Sequence, residues 1–256
     1  MKRGSKWLIA ISGAAIIVLL LHLFAFTSYY IPSAGMENTL MQGECIIVNK
    51  WSYGLRLPFM SLFSYTRLKE KRVEKGDITV FNNPANTLQP VIDRREIFIG
   101  RCGGVPGDTL PVDSFFTTTL PAGKQVNSDE KALYSPARNS GITRTLTIPQ
   151  KGQTVKIELW NAMLFRNTIV LHERKQAEVI DNTLYIDDAP VHEYTFSQNY
   201  YWMVSDNSVN LANSRLFGFV PQSHIIGKAF SIWFSKERDT SVFKGYRWNR
   251  FFKKIP

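Results

Sequence analysis

Seven side chains in this sequence could carry covalent chemistry. Ser33, Thr39, Ser205 and Ser208 offer hydroxyl nucleophiles, and Lys50, Lys75 and Lys228 offer amines. A lysine becomes a general base near neutral pH when burial disfavours its ammonium, and a hydroxyl beside such a base can attack a carbonyl. Cys45 and Cys102 are the two cysteines. An oxidising compartment would permit a bridge, but pairing cannot be read from sequence, and two buried free thiols are the default expectation. No zinc-type Cys/His spacing, phosphate-cradling Gly loop, RNA-binding aromatic signature or internal repeat is present, so no metal or cofactor is expected.

The elements that must position these groups begin with an apolar stretch. Trp7 to Phe26 reads WLIAISGAAIIVLLLHLFAF, without Asp, Glu, Lys or Arg. As a helix it would measure roughly 30 Å, the hydrocarbon thickness of a bilayer. Lys2, Arg3 and Lys6 precede it, which predicts residues 1–6 in the cytoplasm, a span over 7–26, and residues 27–256 outside. A cleaved secretory signal is the rival, but the apolar run is long for one and FTSYYIP has no small-x-small cleavage site. His22 inside the span is expected to be uncharged.

The 256 residues allow an anchor plus one all-β domain or two small ones. Apolar residues make up 44%, enough for an ordinary core, and 31 Lys and Arg against 21 Asp and Glu give a net charge of +10. That balance attracts nucleic acid or anionic lipid headgroups, and the apolar span favours lipid over nucleic acid. Beyond residue 26, ECIIVNK, GDITVFNN, EIFIGRC, TVKIELW, NTLYIDD and HIIGKAFSIWF are short β-branched or aromatic runs bounded by turn residues. The best helical candidate is WNAMLFRNTIVLHERKQAEVI, residues 160–180, whose second half could be a short helix. An antiparallel, barrel-like β domain follows, with a smaller β-rich insert at about 110–180. Trp51–Tyr65, WSYGLRLPFMSLFSY, and the C-terminal YRWNRFFKKIP mix aromatics with cations. Each reads either as a membrane-interface surface, or as core packing for the first and a frayed basic tail for the second.

Four segments in order resemble the bacterial type I signal peptidases of peptidase family S26. They are IPSAGMENTL (31–40), KGDITVF (75–81), RREIFIGRCGGVPGD (94–108) and SDNSVNLANSRLFGFVP (205–221), followed by HIIGKA. The resemblance implies a mainly β, antiparallel barrel-like signal-peptidase fold on one N-terminal transmembrane helix, in the bacterial inner membrane with the main domain periplasmic. It also implies serine endopeptidase chemistry by a Ser-Lys dyad. In this alignment the nucleophile position is Gly35, the base position Gly100 and the orienting serine position Leu211; Asn213 replaces an acid and Ser205 a glycine. Losing one dyad member can cost a factor of about 10⁶ in turnover. Ser33 and the backbone N–H at Gly35 match the oxyanion-binding donors, and Met36 matches a residue of the small-residue pocket. Arg101, Asp206 and Arg215 read as structural charges, and Pro106, Gly107 and Asp108 as a turn. The resemblance therefore implies a silent homologue that binds pre-protein signal-peptide cleavage regions or an active signal peptidase. The alternatives are a working signal peptidase with a displaced nucleophile (Ser33, Thr39, Ser205 or Ser208) and Lys50, Lys75 or Lys228 as base, cutting after small residues, or a structural subunit of an envelope complex.

Overall fold

The computed structural model describes residues 2–37, 39–57, 60, 65–118, 143–207 and 213–256. Within the first helix, the side chains at 2–6, 8, 21 and 23 lie outside the described set. That helix, α1 (Lys2–Phe24), runs 23 residues and turns most of its described apolar side chains outward, among them Trp7, Ile9, Ile11 and Ile16. Among the described residues no helix is long and apolar enough to cross a membrane. The span expected over Trp7–Phe26 rests on the sequence and is taken up below as a proposal. Lys50 Nζ donates to the His22 carbonyl at 3.0 Å, a cation set against the orphan carbonyls of the helix C-terminus.

The rest is mainly β. In chain order come β1 (Phe26–Tyr30), β2 (Glu44–Asn49), the short pair β3 (Leu55–Arg56) and β4 (Arg67–Leu68), β5 (Ile78–Asn82) and β6 (Ile97–Gly104). A second group follows: β7 (Thr109–Val112), β8 (Arg144–Thr147), β9 (Thr154–Lys156), helix α2 (Ala162–His172), β10 (Ala177–Ile180), β11 (Thr183–Ile186), β12 (Ala189–Val191) and β13 (Glu193–Thr195). The chain closes with β14 (Tyr200–Val204), the single turn α3 (Ser214–Phe217), β15 (Val220–Pro221) and β16 (Ile225–Ser235). Seven strands form one antiparallel sheet in the order β1-β2-β16-β5-β6-β14-β15. β16 is eleven residues long and shifts register twice against β2 and once against β5. Such bulges raise local twist, and the sheet curls into a half-barrel.

Burial explains which run sits where. β5 is buried along its whole length and occupies an inner position, whereas β2 alternates buried and half-buried residues. One face of the curl packs Ile46, Val48, Ile78, Val80 and Ile232 against Ile31, Met36 and Leu40 from the β1–β2 connection. The other face packs Phe81, Cys102, Met203 and Phe217 with Tyr53. A separate core joins Leu110 and Leu146 to Phe165, Ile169, Phe196, Tyr200 and Trp202. Cys45 and Cys102 are both free thiols.

Two sequence expectations are corrected. The helix within residues 160–180 takes the first half, not the second. Ala162, Phe165 and Ile169 bury one face at helical spacing, and Arg174 adopts φ 56, which ends the run. The second half becomes a hairpin, β10–β11, turned by Asp181 and Asn182 with φ 45 and 67; positive φ at both positions is the signature of the tight hairpin turn whose twist matches that of strands. Nor is the C-terminus a frayed tail. Ile255 is buried in the core with Ile31 and Met36, its N–H bonds the Phe230 carbonyl at 3.0 Å, and Ile232 N–H bonds the Lys253 carbonyl at 2.8 Å. Arg250 sends Nε to Glu44 Oε1 at 2.5 Å and Nη2 to Glu44 Oε2 at 3.0 Å, and Glu44 is fully buried.

In the aromatic stretch 51–65, Tyr53 is core and Trp51 is exposed; residues 58–59 and 61–64 lie outside the described set. The Val105–Asp108 turn forms as expected. Asp108 N–H returns to the Val105 carbonyl at 3.0 Å, Pro106 holds the second corner, and Gly107 takes φ 89, which a side chain would resist.

Candidate functional site

A cleft of about 380 Å³ opens between two strand edges. One wall is the end of β1 and the following turn, Tyr29 to Ser33 with Gly35 and Met36; the other is Ile97, Phe98 and Ile99 of β6; Ser205 completes it. The edges are available because of register. β6 pairs with β5 from Ile97 to Arg101, but β14 joins its other side only from Arg101 onward. Among the described residues, β1 ends the sheet and pairs with β2 alone. Two backbone edges that no described strand pairs, lining one groove, can hold an extended peptide through main-chain bonds.

Gly35 lies in the 3₁₀ turn Ala34–Met36, and its carbonyl accepts the Asn207 N–H at 3.0 Å. That bond ties the turn to the segment following β14. Ser33 stands at the N-cap of the turn with extended backbone, makes no side-chain capping bond and is exposed in the cleft. Met36, also in the cleft lining, is buried.

Gly100 sits one residue past the cleft wall, paired with Thr79 of β5. A Cβ there would stand 3.3 Å from the Val204 carbonyl oxygen, 3.4 Å from Met203 Cβ and 3.4 Å from Phe81 Cε1. That position meets two apolar side-chain carbons and one backbone carbonyl oxygen, and neighbours yielding a few tenths of an ångström would admit a side chain. Leu211 and Ser208 lie outside the described residues.

The charges beside the cleft form a closed set. Arg101 grips Asp206 by two bonds, and both side chains are at least nine-tenths buried. Arg101 also reaches the Gly76 carbonyl at 2.9 Å and Thr39 Oγ1 at 2.8 Å, while Thr39 donates to Asp206 at 2.5 Å. Arg215 is half-buried at the start of α3; its backbone N–H bonds Asn213 Oδ1 at 3.0 Å, and its Nε has no partner among the described residues.

Among the described residues, the alternative nucleophiles and bases do not assemble. Thr39 is committed to the Arg101–Asp206 pair, and Ser205 Oγ accepts from Asn213 Nδ2 at 3.3 Å. Burial and, after it, the Arg56 charge lower the Lys50 pKa, which suits a base, yet Lys50 bonds the end of α1. Lys75 pairs with Asp108 at 2.9 Å in a half-exposed site, and Lys228 pairs with Asp77. The described lining of the cleft contains no Lys, His, Asp, Glu or Cys. Sequence reasoning missed Thr39 as a bridge between charges and Ile97–Ile99 as a wall. The alternation in EIFIGRC marked a strand but could not mark which edge of it goes unpaired.

Comparison with known proteins fits this architecture. A family model described as signal peptidase, peptidase S26, matches residues 4–234. The chain is 28% identical to signal peptidase I of Buchnera aphidicola subsp. Schizaphis graminum, covering 87% of this chain and 72% of that protein. It is 30% identical to signal peptidase I of Aquifex aeolicus, over 85% and 79% of the two chains, and 25% identical to that of Haemophilus influenzae, over 98% and 76%. With the half-barrel, the two-edged cleft and a match across nearly its full length, the chain belongs to the signal peptidase I family, peptidase S26.

Proposed function

We propose that this protein is a membrane-anchored signal peptidase homologue that binds extended peptides in its cleft without cutting them. The observation carrying this reading is the absence of any lysine from the described cleft lining, together with glycine at both aligned dyad positions, 35 and 100. Glycine can neither attack a carbonyl nor accept its proton. Ser33 and the backbone of the turn remain to hold a peptide carbonyl, so binding can outlast cleavage. The ligand is the small-residue region of a pre-protein signal peptide, or a segment of an active signal peptidase. Arg101 and Asp206 hold the wall in place.

The uncharged run Trp7–Phe26 behind Lys2, Arg3 and Lys6 supports a single span in the bacterial inner membrane with the β domain in the periplasm. The exposed rings of Trp233, Trp248 and Phe252, near Lys253 and Lys254, support contact between the domain and anionic headgroups.

The test is cleavage of a pre-protein by the purified full-length chain beside a Gly35→Ser/Gly100→Lys variant. The parent should not process above a protein-free control. The variant should gain measurable turnover, because it restores a hydroxyl and an amine at the two aligned dyad positions, and the Cβ at position 100 meets Met203, Phe81 and the Val204 carbonyl, a packed site where desolvation favours a neutral amine. Processing by the parent that Ser33→Ala abolishes would overturn the reading.

A further inference from the structure

His172 closes α2 and His224 closes the 3₁₀ turn Gln222–His224 that leads into β16. Their rings meet edge to face, 5.3 Å between centroids, and neither histidine is among the hydroxyls and lysines considered above. Arg95 Nη1 stands 3.1 Å from His224 Nε2. A guanidinium is always charged and only donates, so Nε2 must carry the lone pair. The imidazole proton therefore sits on Nδ1, which donates to Ser223 Oγ at 3.2 Å. His224 cannot take a second proton while Arg95 stays.

Arg95 also staples the loop before β6. Its Nε donates to the Gln89 carbonyl at 2.8 Å and its Nη1 to the Pro84 carbonyl at 3.3 Å. Asn83 N–H closes the same loop on the Glu96 carbonyl at 2.7 Å, and the next three residues are the cleft wall. Around the two rings, the charged groups among the described residues that act on them are Arg95 from this loop and Arg56 from β3, both cations. Tyr200 of β14 packs on His172. The nearby carboxylates are engaged elsewhere: Glu173 with Tyr200 Oη, Glu70 with Gln222, and Asp93 with Arg56. Burial, then Arg95, lowers His172 to about 3; burial, then His172 and the two arginines, holds His224 well below its ordinary value.

We propose that His172, His224 and Arg95 form an acid-sensitive latch on the cleft. A proton taken by His224 Nε2 evicts Arg95, and the loop it staples then releases the Ile97–Ile99 edge. At neutral pH both rings are uncharged and the edge is fixed. As pH falls below the ordinary histidine value of about 6.5, the open state, which can accept both protons, gains population.

Hydrogen exchange of the full-length chain in detergent tests this without peptide or cleavage, so its outcome is independent of the function proposed above. Corrected for intrinsic rates, exchange in residues 83–99 should rise roughly tenfold or more between pH 7.5 and pH 5. In a His172→Phe/His224→Gln variant, which keeps a ring and an acceptor but cannot titrate, the rise should vanish. Equal protection of the parent at both pH values, or an equal rise in the variant, would overturn the latch. Should the variant misfold, ring nitrogen NMR of the parent decides. His224 should report the Nδ1–H tautomer at pH 7.5, and His172 and His224 should both stay neutral at pH 6. Ordinary titration of these two rings near pH 6.5 would refute it.

Discussion

Arg101 Nε lies 2.7 Å from Asp206 Oδ1 and its Nη2 2.6 Å from Oδ2, a two-pronged ion pair joining the strand that carries Gly100 to the segment that holds Gly35. The planar guanidinium matches the carboxylate, and burial shields the pair from water. Removing one partner strands the other charge. Arg101→Ala should therefore cost about 3–5 kcal/mol, and the melting temperature should drop by about 10 °C for a domain of this size. Thermal unfolding of parent and variant checks it. A loss under about 1 kcal/mol would mean that the pair behaves as an exposed one.

Arg250 and Glu44 make the same argument for the C-terminus. Glu44 is fully buried and accepts two bonds from Arg250 and one from the Met41 N–H at 3.0 Å, while Arg250 Nη2 also reaches the Thr39 carbonyl at 2.9 Å. Arg250→Ala should destabilise by about 3–5 kcal/mol, and a Glu44→Gln/Arg250→Ala double variant by less than the sum of the singles. Urea unfolding of the four proteins measures the coupling.

The two glycines at 100 and 227 should respond differently to alanine. A Cβ at Gly227 would lie 2.5 Å from the Asn49 carbonyl oxygen, inside any tolerable contact, whereas at Gly100 the nearest atom is at 3.3 Å. Gly227→Ala should cost about 1–3 kcal/mol or more and Gly100→Ala within about 1 kcal/mol of neutral. Equal, large costs would make Gly100 a structural requirement rather than a vacated position.

Global stability should rise with pH across the acid range. Both buried histidines have lowered folded values, so the unfolded chain binds more protons between roughly pH 3 and 6.5, and unfolding becomes harder as pH increases through that window. Each contributes at most about 1.4 kcal/mol per pH unit there. Urea midpoints at pH 5, 6 and 7.5 should climb, and the slope should flatten in His172→Phe/His224→Gln.

The aromatic surface predicts a depth signal. Trp248 is 71% exposed and Trp233 49%, with Phe252 packed on Trp233 at 5.3 Å. In nanodiscs containing anionic brominated lipid, parent tryptophan fluorescence should be quenched, and Trp233→Phe/Trp248→Phe should lose most of that quenching. Quenching that is unchanged in the variant would assign it to the other exposed rings, Trp7 of α1 and Trp51, and remove this surface from the interface.

Much of this protein was legible from local chemistry. Turn and strand types follow from neighbouring residues, so Val105–Asp108 and the runs forming β2, β5, β6 and β16 could be read directly. Four ordered motifs carried the family, because glycine or serine at a position is a property of the chain and needs no fold. The helix between 160 and 180 was placed in the wrong half because its apolar face continues into a strand, and Asp181-Asn182 is a weaker hairpin signal than a glycine pair. What required the tertiary structure was every question of partnership. Whether Lys50, Lys75 or Lys228 is free depends on which carbonyl or carboxylate lies across space from it. Whether Arg250 dangles or pairs depends on Glu44, 206 positions away in sequence. The cleft itself exists because β14 joins β6 only from Arg101 onward; hydrophobic alternation specifies a strand's faces, but only the register of its neighbours decides which edge is left open to bind.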